Sequence, residues 1–379
     1  MEAMEKLFFH VKNRLSGLRD ARGEGKKVIG FPPGGYLPEE LVLASGAIPV
    51  CLVRAGDHSM VEAAGAYICR WFDPFCRAQI GYAMSGEDPY YNVLDLFAIP
   101  VTDNHIRAIS DTVSYNSDIE VFPFGVPHKK DKSSFEYYLE GIKRLRGKLE
   151  DVTGKEITDS ELREKVFLCN RERELLREIS LMRRGDSIPL SSRDFIGLNH
   201  ASFIADKGFM VEVLELLVKE LKEETWRPVK GPRILLTGST LAQGDLKVLD
   251  MIESAGGEVV IEEFGEGIRP YWYDVEADGD IMINLAEAYF MKRVAPAWFR
   301  PGRERLNLLV DLAVDFDVDG VIWYHLMYRE SYKVESYFFP GILKEKTGLS
   351  MLTVESDYDA TETGPLQTRI ETFIETIRG

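Results

Sequence analysis

The sequence predicts an α/β fold: two Rossmann-like or flavodoxin-like domains with small parallel sheets, joined by a helical segment. The main observation is an order that occurs twice. Strand, glycine loop, helix, glycine and strand follow one another near residues 27–53 and again near 233–261. A crossover of this kind forces its two strands to be parallel. The second observation is the charged, helix-patterned stretch between the repeats. The predicted units are an N-terminal α/β domain (1–130), a helical bridging region (131–229) and a C-terminal α/β domain (230–379).

Residues 27–31 form an apolar strand, and Pro32-Pro33-Gly34-Gly35 breaks it. Residues 37–45 suit a helix with Glu39 and Glu40 in its first turn and Pro38 at its start. Gly46 closes that helix, and 47–53 returns as a strand. Residues 94–101 make a further strand. In the bridging region 135–150 is helical. Thr158 and Glu161 then have capping-box spacing, and Leu162, Val166, Cys169, Leu176 and Ile179 mark one face of a helix reaching Arg184. Residues 210–223 give another amphipathic helix. Beyond it, 233–237 is a strand, 245–254 a helix and 258–261 a strand. Residues 280–283, 320–324 and 349–354 are further strand candidates. The loop at 242–244 lacks the Gly-Lys-Ser/Thr of a nucleotide-binding loop.

Composition excludes several classes. The 379 residues carry a net charge of −16, which argues against a nucleic-acid or anionic-membrane partner. No run is apolar enough to span a membrane, and residues 1–6 lack the apolar core of a signal peptide. Cys51, Cys69, Cys76 and Cys169 are too few for a disulfide scaffold. None forms a C-x-x-C pair, and together they fit a reducing cytoplasm.

Ligands of parallel α/β sheets sit off the carboxyl ends of the strands. The expected strand ends carry Gly34 and Tyr36, then Asp103 and His105, then Arg269, Tyr271 and Trp272, then His325, Arg329 and Glu330, and finally Glu355 and Asp357. Carboxylates, imidazoles, guanidinia and aromatics together suit a polar organic substrate with a carbonyl to polarise.

Several segments resemble one family. They are Gly34-Gly35-Tyr36-Leu37-Pro38-Glu39-Glu40-Leu41, then Ala44-Ser45-Gly46-Ala47-Ile48-Pro49, then Glu262-Glu263-Phe264-Gly265-Glu266-Gly267-Ile268-Arg269-Pro270-Tyr271-Trp272. Glu355-Ser356-Asp357-Tyr358 and residues 367–375 follow in order. Together they resemble the D-component family of 2-hydroxyacyl-CoA dehydratases and benzoyl-CoA reductases. The resemblance implies a CoA thioester substrate and a related partner subunit. It also implies an ATP-dependent activator and an iron–sulfur cluster held by three cysteines between the α/β domains. Gly34, Tyr36, Glu40, Arg269, Tyr271, Trp272 and His325 become candidate substrate-binding residues. Arg54, Arg269, Lys292 and Arg293 are candidates for the CoA phosphates.

The sequence departs from this pattern at the ligands. Asp73 stands where the family has the cysteine of a Cys-Pro-x-x-Arg stretch, Asp103 where Pro-Val-x-Cys-Asp has its cysteine, and Arg329 where Tyr-Cys-Asp-Pro has its cysteine. Two hard carboxylates and a guanidinium make a poor cluster site. Cys76 is the one candidate ligand nearby. The expectation is a chain that binds no cofactor firmly, beside a related subunit that holds a [4Fe–4S] cluster. The alternatives are a cluster-free acyl-CoA enzyme using Asp73, Asp103, His105, Arg329 or Glu330, and a purely structural subunit. In this register the Asp73, Asp103 and Arg329 side chains should converge between the two α/β domains.

Overall fold

The computed structural model describes residues 1–361 and 363–378. Its strands are β1 (Val28–Phe31), β2 (Ile48–Cys51), β3 (Leu96–Val101), β4 (Val121–Gly125), β5 (Ser187–Ile188), β6 (Arg227–Pro228), β7 (Arg233–Gly238), β8 (Glu258–Glu263), β9 (Gly320–Leu326) and β10 (Ser350–Ser356). β1–β4 make one parallel sheet in the order β2-β1-β3-β4. β7–β10 make another in the order β10-β9-β7-β8, the same topology read from the other edge. β5 and β6 form a short antiparallel pair. In both large sheets the winding reverses beside the first strand. That places a topological switch point between β1 and β3 and another between β7 and β9.

Alternate residues of each strand enter different cores, as the two-residue strand period requires. Val28, Phe97, Ile99, Ile234, Leu236, Ile322 and Tyr324 belong to one apolar cluster shared by both sheets. The opposite faces meet the bridging helices. Ile29, Leu96 and Ala98 pack with Tyr138, Leu149 and Val166, whereas Leu235, Val260 and Trp323 pack with Leu176, Val213 and Leu217. The bridging helices Lys132–Thr153, Asp159–Leu181, Ser192–Ser202 and Lys207–Glu223 thus close the outer faces of both sheets. Thr158 and Glu161 form the expected capping box.

One local expectation needs correction, and two elements had no counterpart among the expectations. Residues 280–283 are not a strand. Asp280 accepts from the amides of Met282 and Ile283 and caps the helix Ile281–Ala286. The edge strand β4 and the N-terminal helix Glu2–Gly23 were not anticipated. That helix packs on Lys207–Glu223 and Ser192–Ser202, where Ala3, Met4 and Leu7 are buried.

The two α/β units touch through backbone. Ala55 N–H donates to Gln243 O (2.8 Å), and Gln243 N–H donates to Val53 O (3.0 Å). The approach needs glycine: Gly56 has φ +99°, and a Cβ there would lie 2.5 Å from Gly244 O. Gly56→Ala should therefore destabilise the chain by about 2–4 kcal/mol in chemical denaturation. Gly65→Ala, with nothing within 4 Å of its added Cβ, should change stability by less than about 1 kcal/mol.

Candidate functional site between the two sheets

The carboxyl ends of five strands face one small cavity of about 40 Å³. Its lining comes from after β1 (Gly34, Tyr36), β3 (Thr102, Ile106), β7 (Ser239, Thr240), β8 (Glu266, Arg269) and β9 (Arg329, Tyr332), with Trp298 completing the wall. A single water occupies about 30 Å³ in the liquid, so this space is narrow. A wider recess of about 310 Å³ opens beside it, lined by Asp103, His105, His128, Arg300 and Glu330. Trp298, Arg329 and Tyr332 border both spaces and form the partition between them.

Asp73, Asp103 and Arg329 meet at this partition. Arg329 Nη1 lies 3.3 Å from Asp103 Oδ1 and 3.5 Å from Asp73 Oδ2. The guanidinium also lies over Trp298 and Tyr332, at 5.3 Å and 5.7 Å from the ring centroids. Each aspartate has a second task. Asp73 caps the helix Pro74–Ser85 by accepting from Cys76 N–H (3.0 Å). Asp103 caps Asn104–Asn116 by accepting from His105 N–H (2.8 Å) and Ile106 N–H (3.2 Å). Both carboxylates thus sit at the positive ends of helices, where anions are favoured. Arg329 precedes the helix Glu330–Thr347 and follows Tyr328, whose φ of +66° is unusual for a tyrosine.

His105 joins the group. Its Nδ1 lies 3.1 Å from the Asp73 amide nitrogen and 2.9 Å from Asp73 Oδ2. Nδ1 can accept from that amide, or it can carry a proton and donate to the carboxylate, but not both. Cys76 is fully buried, and its Sγ donates to His105 O (3.0 Å). Burial and the two neighbouring aspartates push its thiol well above the ordinary range. Asp73 is pushed up by burial, but the Arg329 guanidinium and His105 outweigh that and hold it below its ordinary 3.8.

Of the other candidates, Gly34, Tyr36 and Arg269 line the cavity, and Glu330 lies on the recess. Glu40 is elsewhere: it is fully buried, accepting from Arg173 Nη2 (2.6 Å) and Tyr289 Oη (2.7 Å). Tyr271 is buried, with its hydroxyl 3.4 Å from Ser180 Oγ, and Trp272 packs against the same core. His325 lies off the cavity, buried, 3.9 Å from Glu355. The suggested phosphate ligands do not assemble in one place. Arg54 borders a separate recess and pairs with Asp57, while Arg293 is buried under Tyr289.

The structure adds Glu266, Trp298, Tyr332 and Thr240 to the site. Only Glu266 carried a sequence signal, as part of the 262–272 segment. Burial pushes its carboxyl up to about 6, against the lowering effect of the Leu241 amide and of Arg269 and Arg329. Arg269 is fixed by Glu263 (2.7 Å), which also takes Arg305 (2.8 Å).

Three residues far apart in sequence, Asp73, Asp103 and Arg329, thus converge between the two sheets. Residues 35–377 match the family described as 2-hydroxyglutaryl-CoA dehydratase, D-component. The chain belongs to that family. It is 24% identical to the (R)-phenyllactyl-CoA dehydratase beta subunit of Clostridium sporogenes, over 93% of this chain and 92% of that one. It is 26% identical to a benzoyl-CoA reductase subunit of Thauera aromatica, over 72% and 70%. Identity to the (R)-2-hydroxyglutaryl-CoA dehydratase beta subunit of Acidaminococcus fermentans is 22%, over 94% of each chain. No helix among the described residues is long and apolar enough to cross a membrane.

Removing the guanidinium should expose its structural weight. Arg329→Met removes the guanidinium from the buried Asp73 and the partly buried Asp103 and should cost about 2–4 kcal/mol in denaturant unfolding. Adding Asp73→Asn should recover part of that loss. Because Asp73 is held below 3.8, its contribution to wild-type stability is complete above that pH and disappears as pH falls through the lower folded value.

Proposed function

We propose that this chain is a subunit of an acyl-CoA dehydratase- or reductase-type complex, the cluster-free partner of a related subunit that holds the redox centre. The observation behind this is the Asp73–Arg329–Asp103 group at the positions where the family pattern has cysteine. The donor set does not fit an iron–sulfur cluster. A guanidinium has no lone pair to give, both carboxylates are engaged by helix amides and by Arg329, and the Cys76 thiol is buried and bonded to a carbonyl. Among the described residues, no group of three or more His, Cys, Asp and Glu side chains is placed to hold a metal ion.

In this role the chain supplies one wall of a substrate cleft and a rigid surface for its partner, while electrons reach the thioester through the partner. An ATP-hydrolysing activator would act on that partner. Anaerobic purification of the native complex should yield a related second subunit, with iron and sulfide confined to it. Four irons per copy of this chain, or a chain that runs only as a homomer, would refute the assignment.

Glu266 favours a second function, acid–base chemistry on the thioester by this chain itself. It faces the cavity, and its carboxyl titrates at about 6, near the range a general base needs. In D₂O the isolated chain would then exchange the α-hydrogen of an acyl-CoA, with a rate rising through pH 6. The Glu266→Gln variant would lose that exchange. A wild-type chain that catalyses no exchange would leave the supporting role alone.

A further inference from the structure

Two buried donors at the central cavity have no acceptor. Arg269 donates Nε to Glu263 and Nη1 to the Tyr332 hydroxyl (3.4 Å), but its Nη2 has no partner. The residue is 3% exposed, so water at the molecular surface does not solvate that group. Trp298 Nε1 is likewise buried and unpartnered. Both residues line the same narrow space. An indole N–H and a guanidinium N–H can only donate, so the missing group must be an acceptor. A buried N–H left without one costs about 1–3 kcal/mol, and what sets these two apart from the other unpartnered buried groups is that both belong to residues lining one cavity.

We propose that Arg269 and Trp298 form an oxygen-acceptor pocket that takes the carbonyl or carboxylate oxygen of a small acyl group, entering past the Arg329 partition from the outer recess. Arg329 stands beside the donors, and the Asp73 and Asp103 carboxylates that neutralise it are directed at Arg329; Glu266 also lines the cavity, and burial pushes its carboxyl up toward the neutral form that an incoming oxygen requires. Apart from Glu266, the side chains around the donors suit an oxygen and its small substituent: Thr102, Ser239 and Thr240 are polar, and Tyr36 with Ile106 and Phe75 is largely apolar. The volume limits the occupant to a small head group. The rest of a thioester would lie in the outer recess, which shares Trp298, Arg329 and Tyr332 with the cavity. The acyl-CoA assignment supplies the source of the oxygen, whereas the two unpartnered donors stand without it. A free carboxylate presents the same oxygen chemistry.

Calorimetric titration of the full chain, within its complex where it has one, separates these cases with three probes: acetyl-CoA, free CoA and acetate. Trp298→Phe removes the donor and keeps an aromatic wall; Arg269→Lys keeps a positive charge opposite Glu263 and removes Nη2. Thermal unfolding checks that both variants fold. If acetyl-CoA is the ligand, it should bind more tightly than free CoA. Trp298→Phe should weaken it about fivefold and Arg269→Lys about tenfold, with free CoA unaffected. Acetate binding with the same losses, alongside no CoA-dependent binding, would keep the pocket and reject the thioester as its source. Equal affinity for acetyl-CoA and CoA, unchanged in both variants and with no acetate binding, would overturn the pocket while keeping the CoA assignment. Failure to bind any of the three would overturn both.

Discussion

The Arg329 guanidinium is the tie on which the interior of this molecule depends. It comes from the end of β9 in one sheet and meets two carboxylates of the other unit, Asp73 ahead of the helix Pro74–Ser85 and Asp103 after β3. A buried ion pair of this kind rarely adds net stability, because desolvation offsets much of the Coulomb gain. Its effect is on specificity. One side chain must satisfy two fixed anions and lie over two aromatic rings, and those four demands define a single placement of the partition between cavity and recess. The glycine contact at Gly56 and Gly244 acts alongside it, since two backbones in parallel hydrogen bonding leave the α/β units little freedom to slide.

The same constraint shapes the electrostatics. Helix N-termini at Pro74 and Asn104 point their free amides inward, and each aspartate answers its own helix before it answers Arg329. Beneath the cavity, Glu263 serves Arg269 and Arg305, and Arg305 also reaches Glu335. This chain of alternating charge holds Arg269 from one side, so its remaining edge is fixed without being used. Glu266 stands apart from that chain. It receives the Leu241 amide (3.2 Å), but no guanidinium is bonded to it, and its titration therefore moves up toward 6 where Glu263, doubly paired, is lowered. Two carboxyls three residues apart, one at the end of β8 and one in the loop after it, are thus shifted in opposite directions by their pairing.

Much of this was legible in the sequence, for identifiable reasons. The paired crossovers were visible because glycine must end each helix and the strands are continuous apolar runs. The strand-end residues Asp103, Arg269 and Arg329 followed from the rule that ligands sit off the carboxyl ends of parallel strands. Residues 280–283 misled because a four-residue apolar run has no period of its own. Asp280 ahead of it turned out to be a helix cap. β4 was missed because Pro123 weakens a strand signal, although an edge strand tolerates it. Glu40 was placed at the cavity because its segment borders Gly34, yet it points the other way along its short helix, into Arg173. Trp298 and Tyr332 had no readable signal. Trp298 comes from an irregular stretch and Tyr332 from inside a helix, and their role arises only from where the chain folds back over Arg329.

Asp73, Asp103 and Arg329 make physical sense only as a set. A helix N-terminus stabilises an anion, so each aspartate holds its cap as a carboxylate. Two carboxylates facing one another in a buried space would repel, and each would be pushed toward its protonated form. Arg329 supplies the remedy, since its guanidinium reaches both aspartates. Any one of the three alone would leave a buried ion unpaired. Taken together, they form a charge group that closes on itself, and Arg269 and Trp298 remain as the unpartnered donors lining the space behind it.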